Sequence, residues 1–122
     1  MKYLIQIWQN PQSRAMWEQL PEDSQMSGLA VYQALNAELA DSGEMIAAEA
    51  LADPSLATRV TAGESGVVTS DGPFAEVKEL LAGFYFVDVE SKERAVEIAA
   101  RIPEAAFGLV EVRPVLDHTL MD

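Results

Sequence analysis

The sequence has no cysteine, only eight basic residues, one histidine and no long apolar run. The first absence excludes disulfides, thiol nucleophiles and thiolate metal sites. Against the eight Lys and Arg stand twenty Asp and Glu, for a formal charge of −12. Binding to a nucleic-acid backbone or to an anionic membrane surface needs clustered Lys and Arg, and no such cluster exists, so neither partner is expected. The excess negative charge serves solubility and mutual repulsion of copies. The one histidine, His118, lies in the C-terminal tail, where a catalytic or metal role is not expected. With no regular carboxylate spacing either, the expectation is no metal and no cofactor. No Gly-rich phosphate loop and no G-x-S-x-G elbow is present. The opening MKYLIQIWQN is interrupted by Gln6 and lacks a small-residue cleavage site, so it does not read as a secretory signal. No stretch reaches the ~20 apolar residues of a membrane-spanning helix. The expectation is a soluble cytoplasmic protein.

What is present is a globular composition. The 122 residues, 49% hydrophobic, suit one domain over 1–122 with a modest core. Tyr3, Ile5 and Ile7 alternate with Leu4, Gln6 and Trp8, which predicts a largely buried first strand. Asn10-Pro11-Gln12-Ser13 breaks it, and a short helix carrying Met16, Trp17 and Leu20 follows. Pro21-Glu22-Asp23-Ser24 has helix-start chemistry, with acids where the helix dipole favours them. Leu29, Tyr32, Leu35 and Leu39 predict an amphipathic helix over 24–42, with Gly43 as its stop.

Residues 44–51 suit a second strand, and 57–62 with 66–70 a hairpin around Gly63-Glu64-Ser65-Gly66. Residues 81–89, with two Phe, one Tyr and two Val, are the strongest strand signal in the chain. Ser91 can cap a helix to about Arg101 that turns Ala95, Val96, Ile98, Ala99 and Ile102 inward, and Gly108–Val115 reads as the last strand. Two helical crossings between strands imply an α+β sandwich, the ferredoxin-like βαββαβ plan with an elaborated central hairpin. Both helices then lie on one face of the sheet. The other face is left bare, which points to a homodimer formed through it.

Candidate chemistry begins at SDGPFAEVKE. Gly72 and Pro73 punctuate the chain, Asp71 can accept from nearby backbone N–H groups, and a single helical turn through Phe74–Lys78 can follow. The same segment could instead close over a pocket, supplying Asp71, Lys78 and Glu79 as base and electrostatic stabilisers. Glu49 is a second candidate, because it interrupts a strand row carrying Met45, Ala47 and Leu51; either that face is partly solvated or Glu49 looks into a cavity. Arg113 shares a face with Glu111 on the last strand. It is either a solvated edge residue, a bidentate holder of a substrate carboxylate, or a partner for Glu49. Tyr85 falls on the pleat face of Gly83 and Val87 and reads first as a core residue, although the small glycine would leave space near its hydroxyl.

Three blocks resemble the YCII-related family in its DGPF-domain branch: MKYLIQIW, the central TSDGPFAEVKELLAGFYFVDVES with its ARIPEA continuation, and GLVEVRPVLD. The resemblance implies a ferredoxin-like fold that pairs into a dimeric α/β barrel, with a cleft beside the DGPF loop. It marks Asp71, Gly72, Pro73 and Phe74 as the signature, with Lys78, Glu79, Gly83, Tyr85, Arg113 and Pro114 at matching positions. Some relatives are lyase- or dehalogenase-like enzymes proposed to use a His/Asp pair. This sequence has no histidine before His118, so that mechanism does not transfer. Genes of DGPF proteins often neighbour those of extracytoplasmic-function sigma factors, which implies a regulatory setting. Two functions follow as expectations. One is a dimeric module binding an unknown small molecule. The alternative is a cofactor-independent lyase or isomerase, with Asp71 or Glu49 as base and Lys78 or Arg113 holding an anionic substrate.

Overall fold

The computed structural model describes residues 1–72 and 79–117. Strand β1 (Lys2–Gln9) is followed by α1 (Pro11–Gln19), α2 (Glu22–Ser42) and β2 (Met45–Ala50). A hairpin of β3 (Thr58–Gly63) and β4 (Gly66–Asp71) precedes β5 (Leu80–Asp88), α3 (Lys92–Ala100) and β6 (Val110–Pro114). Short 3-10 turns at Pro54–Leu56 and Pro103–Phe107 lead into β3 and towards β6. The main sheet is antiparallel in the order β2-β5-β1-β6, and β3-β4 form a separate two-stranded sheet. This mixed α+β arrangement is compatible with the ferredoxin-like plan. No helix among the described residues is long and apolar enough to cross a membrane.

Register explains which residues meet the helices. Ile5 lies opposite Tyr85 on one side and Val112 on the other, and Tyr3 opposite Val87. That face joins Leu35 and Leu39 of α2 with Ala95, Ile98 and Ala99 of α3 in a single buried core. The four-residue step from Leu35 to Leu39 keeps both on one helix stripe. The opposite face carries Leu4, Gln6, Phe84 and Phe86, none of which belongs to that core.

Several expectations need correction. Val96 is 47% exposed, because the buried stripe of α3 runs through 95, 98, 99 and 102, and Val96 stands about 100° round the axis from Ala95. Leu29 is 53% exposed, since six residues before Leu35 is not a same-face step. Met45 does not share the face of Glu49. A register shift between Met45 and Ala47 sets Met45 opposite Val87, against the core, while Ala47 and Glu49 stand opposite Phe86 and Phe84. The space at Gly83 does not serve the Tyr85 hydroxyl: it admits the β2 backbone, whose Glu49 carbonyl oxygen would lie 2.8 Å from a Cβ there. The predicted turn through Phe74–Lys78 lies outside the described residues, as does His118.

Ser91 caps α3 as expected, its Oγ accepting from the Arg94 N–H at 3.1 Å. Ser91→Ala is expected to lower stability by about 1 kcal/mol, the usual worth of such a cap, measured by denaturant unfolding with an unchanged m-value.

Candidate functional site

The site is built where α1 and α2 leave the sheet. Asn10 ends β1 and caps α1 reciprocally: its Oδ1 accepts from the Ser13 N–H at 2.8 Å, and Ser13 Oγ accepts from its N–H at 3.0 Å. Pro11 follows at the first helical position, where its missing N–H costs nothing. This fixes α1 immediately beyond the sheet and presents Met16, Trp17 and Leu20. The Gln25 side-chain amide donates to the Trp17 carbonyl at 2.7 Å and ties α1 to α2. Arg14 donates to Asp53 at 2.6 Å and ties α1 to the approach to β3.

Between these elements lies a cavity of about 570 Å³. Its walls are mostly apolar, and Trp8 of β1, Trp17 of α1, Leu29 of α2 and Phe107 of the second 3-10 turn are among the lining residues. A second cavity of about 370 Å³ shares Leu29, Tyr32, Ala82 and Glu104 with it and extends to Asn36, Glu49 and Tyr85. Two hydrogen bonds organise the lining, the first in the shared wall and the second in the smaller cavity alone. The Tyr32 hydroxyl donates to the Glu104 carboxylate, at 2.6 Å from Oε1 and with Oε2 also in reach. The Tyr85 hydroxyl donates to Asn36 Oδ1.

Burial, reinforced by the Glu104 carboxylate, raises the Tyr32 pKa well above its ordinary value. Burial pushes Tyr85 up to about 12, with Glu104 adding to it. Both tyrosines are therefore protonated throughout the physiological range and act as donors, not as bases. The Trp8 indole N–H is buried beside the larger cavity without a hydrogen-bond partner among the described residues. No cluster of His, Asp or Glu that could hold a metal ion occurs among the described residues.

The residues singled out from the sequence fall in different places. Tyr85 lines the smaller cavity from the core face; Glu49 borders it, but its side chain is exposed on the opposite sheet face beside Phe84, the partly solvated arrangement rather than the cavity-facing one. Asp71 is exposed at the end of β4, where Thr58 Oγ1, at 3.5 Å, is too distant for a strong hydrogen bond. Gly72 donates its N–H to the Ala57 carbonyl at 2.6 Å, and Glu79 is exposed just before β5. Pro73, Phe74 and Lys78 lie outside the described residues. Arg113 is exposed on β6, at the opposite sheet edge from β2. Three strand spacings, about 14 Å, separate those edges, so Arg113 does not pair with Glu49 within the chain. Tyr32 and Glu104 were not singled out as site residues. Tyr32 reads as one member of an apolar stripe, and Glu104 sits in the ARIPEA block with nothing local to mark it. Their 72-residue separation is closed only by the fold.

Fold and site together define an α+β protein whose two-layer core is flanked by an aromatic-walled cleft with a tyrosine-held carboxylate. A model of the YCII-related domain matches residues 1–119, and the chain belongs to that family. It is also 32% identical over 117 residues to an uncharacterized protein of Rhizobium meliloti, covering 93% of this chain and 91% of that protein.

Proposed function

We propose that the protein is a homodimeric small-molecule-binding module, and that the paired cavities around Tyr32 and Glu104 are its ligand site. The observation that carries this reading is the larger cavity itself. Its volume of about 570 Å³ is within the range of small-molecule sites, and it combines apolar walls with few polar groups. The segment between Gly72 and Glu79, with the DGPF signature, leads into β5 two residues before Ala82 of the shared wall.

Dimerisation through the bare sheet face is supported by Leu4, Phe84 and Phe86, which stand outside the core. On the same face, the side-chain oxygen of Gln6 is buried with no partner among the described residues. An unmet acceptor of that kind costs about 1–3 kcal/mol, and the amide of a facing copy would satisfy it. Pairing there would give the dimeric α/β barrel. Light scattering at micromolar concentration is expected to show a dimer, and Phe86→Glu to weaken association by at least about tenfold through an unpaired buried charge. A wild-type monomer overturns the dimer. Native mass spectrometry of the purified protein is expected to reveal a bound metabolite that dissociates on denaturation.

The proton-transfer alternative keeps one specific observation: the Glu104 carboxylate lines both cavities and retains acceptor sites beyond the Tyr32 hydrogen bond, so Glu104 rather than Glu49 would be its base. A ligand recovered unchanged after prolonged incubation with the protein would argue against it.

A further inference from the structure

The geometry points to a hydrophobic amine, bound as its ammonium ion, as the class of ligand this cleft takes. The inference rests on the binding reading above and specifies it. Its first ground is the direction of the hydrogen bonds. The Tyr32 proton is spent on Glu104 and the Tyr85 proton on Asn36. What these groups still offer is lone pairs, on the Glu104 carboxylate and on the two phenol oxygens, because a carboxylate has about four acceptor sites and a phenol oxygen can also accept. A ligand group meeting Glu104 and the phenol oxygens has to donate, while the Asn36 amide N–H groups and the Trp8 indole N–H are left for an acceptor elsewhere on the ligand.

The second ground is charge. The smaller cavity is lined by the Glu104 carboxylate and by no Lys or Arg among the described residues, the Glu49 side chain standing on the other sheet face beside Phe84. The larger has Glu18 and Glu104, and its one described basic residue, Arg14, is engaged by Asp53 at 2.6 Å. With a formal charge of −12 on the chain, the field disfavours anions and concentrates cations.

The third ground is the aromatic wall. Trp8, Trp17 and Phe107 line the same cavity as Glu104. Aromatic faces beside a carboxylate attract an organic cation through the ring quadrupole while burying its hydrocarbon part. Tyr32, by holding Glu104 through its hydroxyl, is a positioning residue for that carboxylate.

Three probes of nearly equal size separate the possibilities: phenethylamine, phenethyl alcohol and hydrocinnamate. Both tryptophans of the chain line the cavity, so intrinsic fluorescence reports occupancy directly. At neutral pH the protonated amine is expected to bind at least about tenfold more tightly than the carboxylate, with the alcohol between them. Glu104→Gln is expected to remove most of the amine's advantage and to leave the alcohol within about twofold, whereas Trp17→Ala weakens all three. Tyr32→Phe, which loosens the carboxylate without removing it, is expected to cut the amine's advantage only partly.

Hydrocinnamate binding as tightly as the amine overturns the amine assignment while the cleft reading stands. An amine preference that survives Glu104→Gln overturns the role of Glu104. If none of the three changes the fluorescence of the folded wild-type protein up to millimolar concentration, the amine and cleft readings both fall.

Discussion

Gly83→Ala lowers the unfolding free energy by about 1–3 kcal/mol, the cost of forcing an extra methyl into close-packed surroundings. The added Cβ would stand 2.8 Å from the Glu49 carbonyl oxygen and 3.4 Å from the Ala50 Cα. Both are backbone atoms, so no side-chain rotation relieves the contact. Strand β2, at the sheet edge, has to move away from β5. Their ladder runs from Met45 opposite Val87 to Ala50 opposite Gly83, so the displacement falls at its Ala50 end, beside Ala48, Glu49 and Tyr85 in the smaller cavity. Denaturant unfolding measures the loss, and hydrogen exchange is expected to show it concentrated in β2. A variant as stable as the wild type would mean that β2 yields without cost. If the cleft binds as proposed, ligand affinity falls in the same variant, because the wall carrying Tyr85 and Ala82 shifts with the strand.

Arg94→Leu is expected to cost about 2 kcal/mol, the scale of hydrogen bonds to charged groups. In α3, Arg94 Nε and Nη2 each donate to the Glu44 carboxylate at 2.9 Å, in fork-to-fork geometry. Glu97 accepts at 3.3 Å, and Glu38 lies 4.0 Å away. Removing the guanidinium therefore loses two strong bonds and leaves the Glu44 and Glu97 carboxylates without that cation, while Glu38 keeps its ion pair with Arg101.

The pH dependence carries the same signature. Hydrogen bonds from Arg94 hold the Glu44 carboxyl down from its ordinary 4.5 to about 2. A folded-state pKa below the unfolded one gives stability that is present above pH ~4.5 and is lost as pH falls towards ~2. With 18% of the Glu44 side chain exposed, solvent screening limits the contribution to about 1–2 kcal/mol. Relief of the chain's net negative charge acts in the opposite direction over the same acid range. The difference between wild type and Glu44→Gln isolates the pair. That difference should be largest near neutral pH and vanish towards pH ~2. A constant difference would show that Glu44 acts through packing alone.

Much of the architecture was legible before any coordinates. The alternation in KYLIQIW, the aromatic run LLAGFYFVD, the Ser91 cap and the Gly43 stop all became the expected elements, because each signal depends on neighbours within a few residues. Reading failed where the deciding neighbour was remote. Val96 and Leu29 are apolar residues near a buried stripe yet off it, a matter of helix phase relative to the sheet. The β2 bulge turned Met45 away from Glu49, because pairing with β5 set its register. Gly83 looked like room for a hydroxyl and proved to be room for the adjacent strand.

The candidate site divides in the same way. Composition by itself excluded thiol chemistry and disfavoured anionic partners, and local patterning specified the strands, helices and caps. The cleft required tertiary structure. Tyr32 on α2 and Glu104 after α3 are chemically unremarkable in the chain, and neither has a local feature that sets it apart. They form a polar wall only because both helices pack on one face of β5 and β1, which brings a phenol to a carboxylate 72 residues away. A hydrogen bond between distant residues leaves no local periodicity to read; burial then keeps the phenol protonated, so that it donates to the carboxylate.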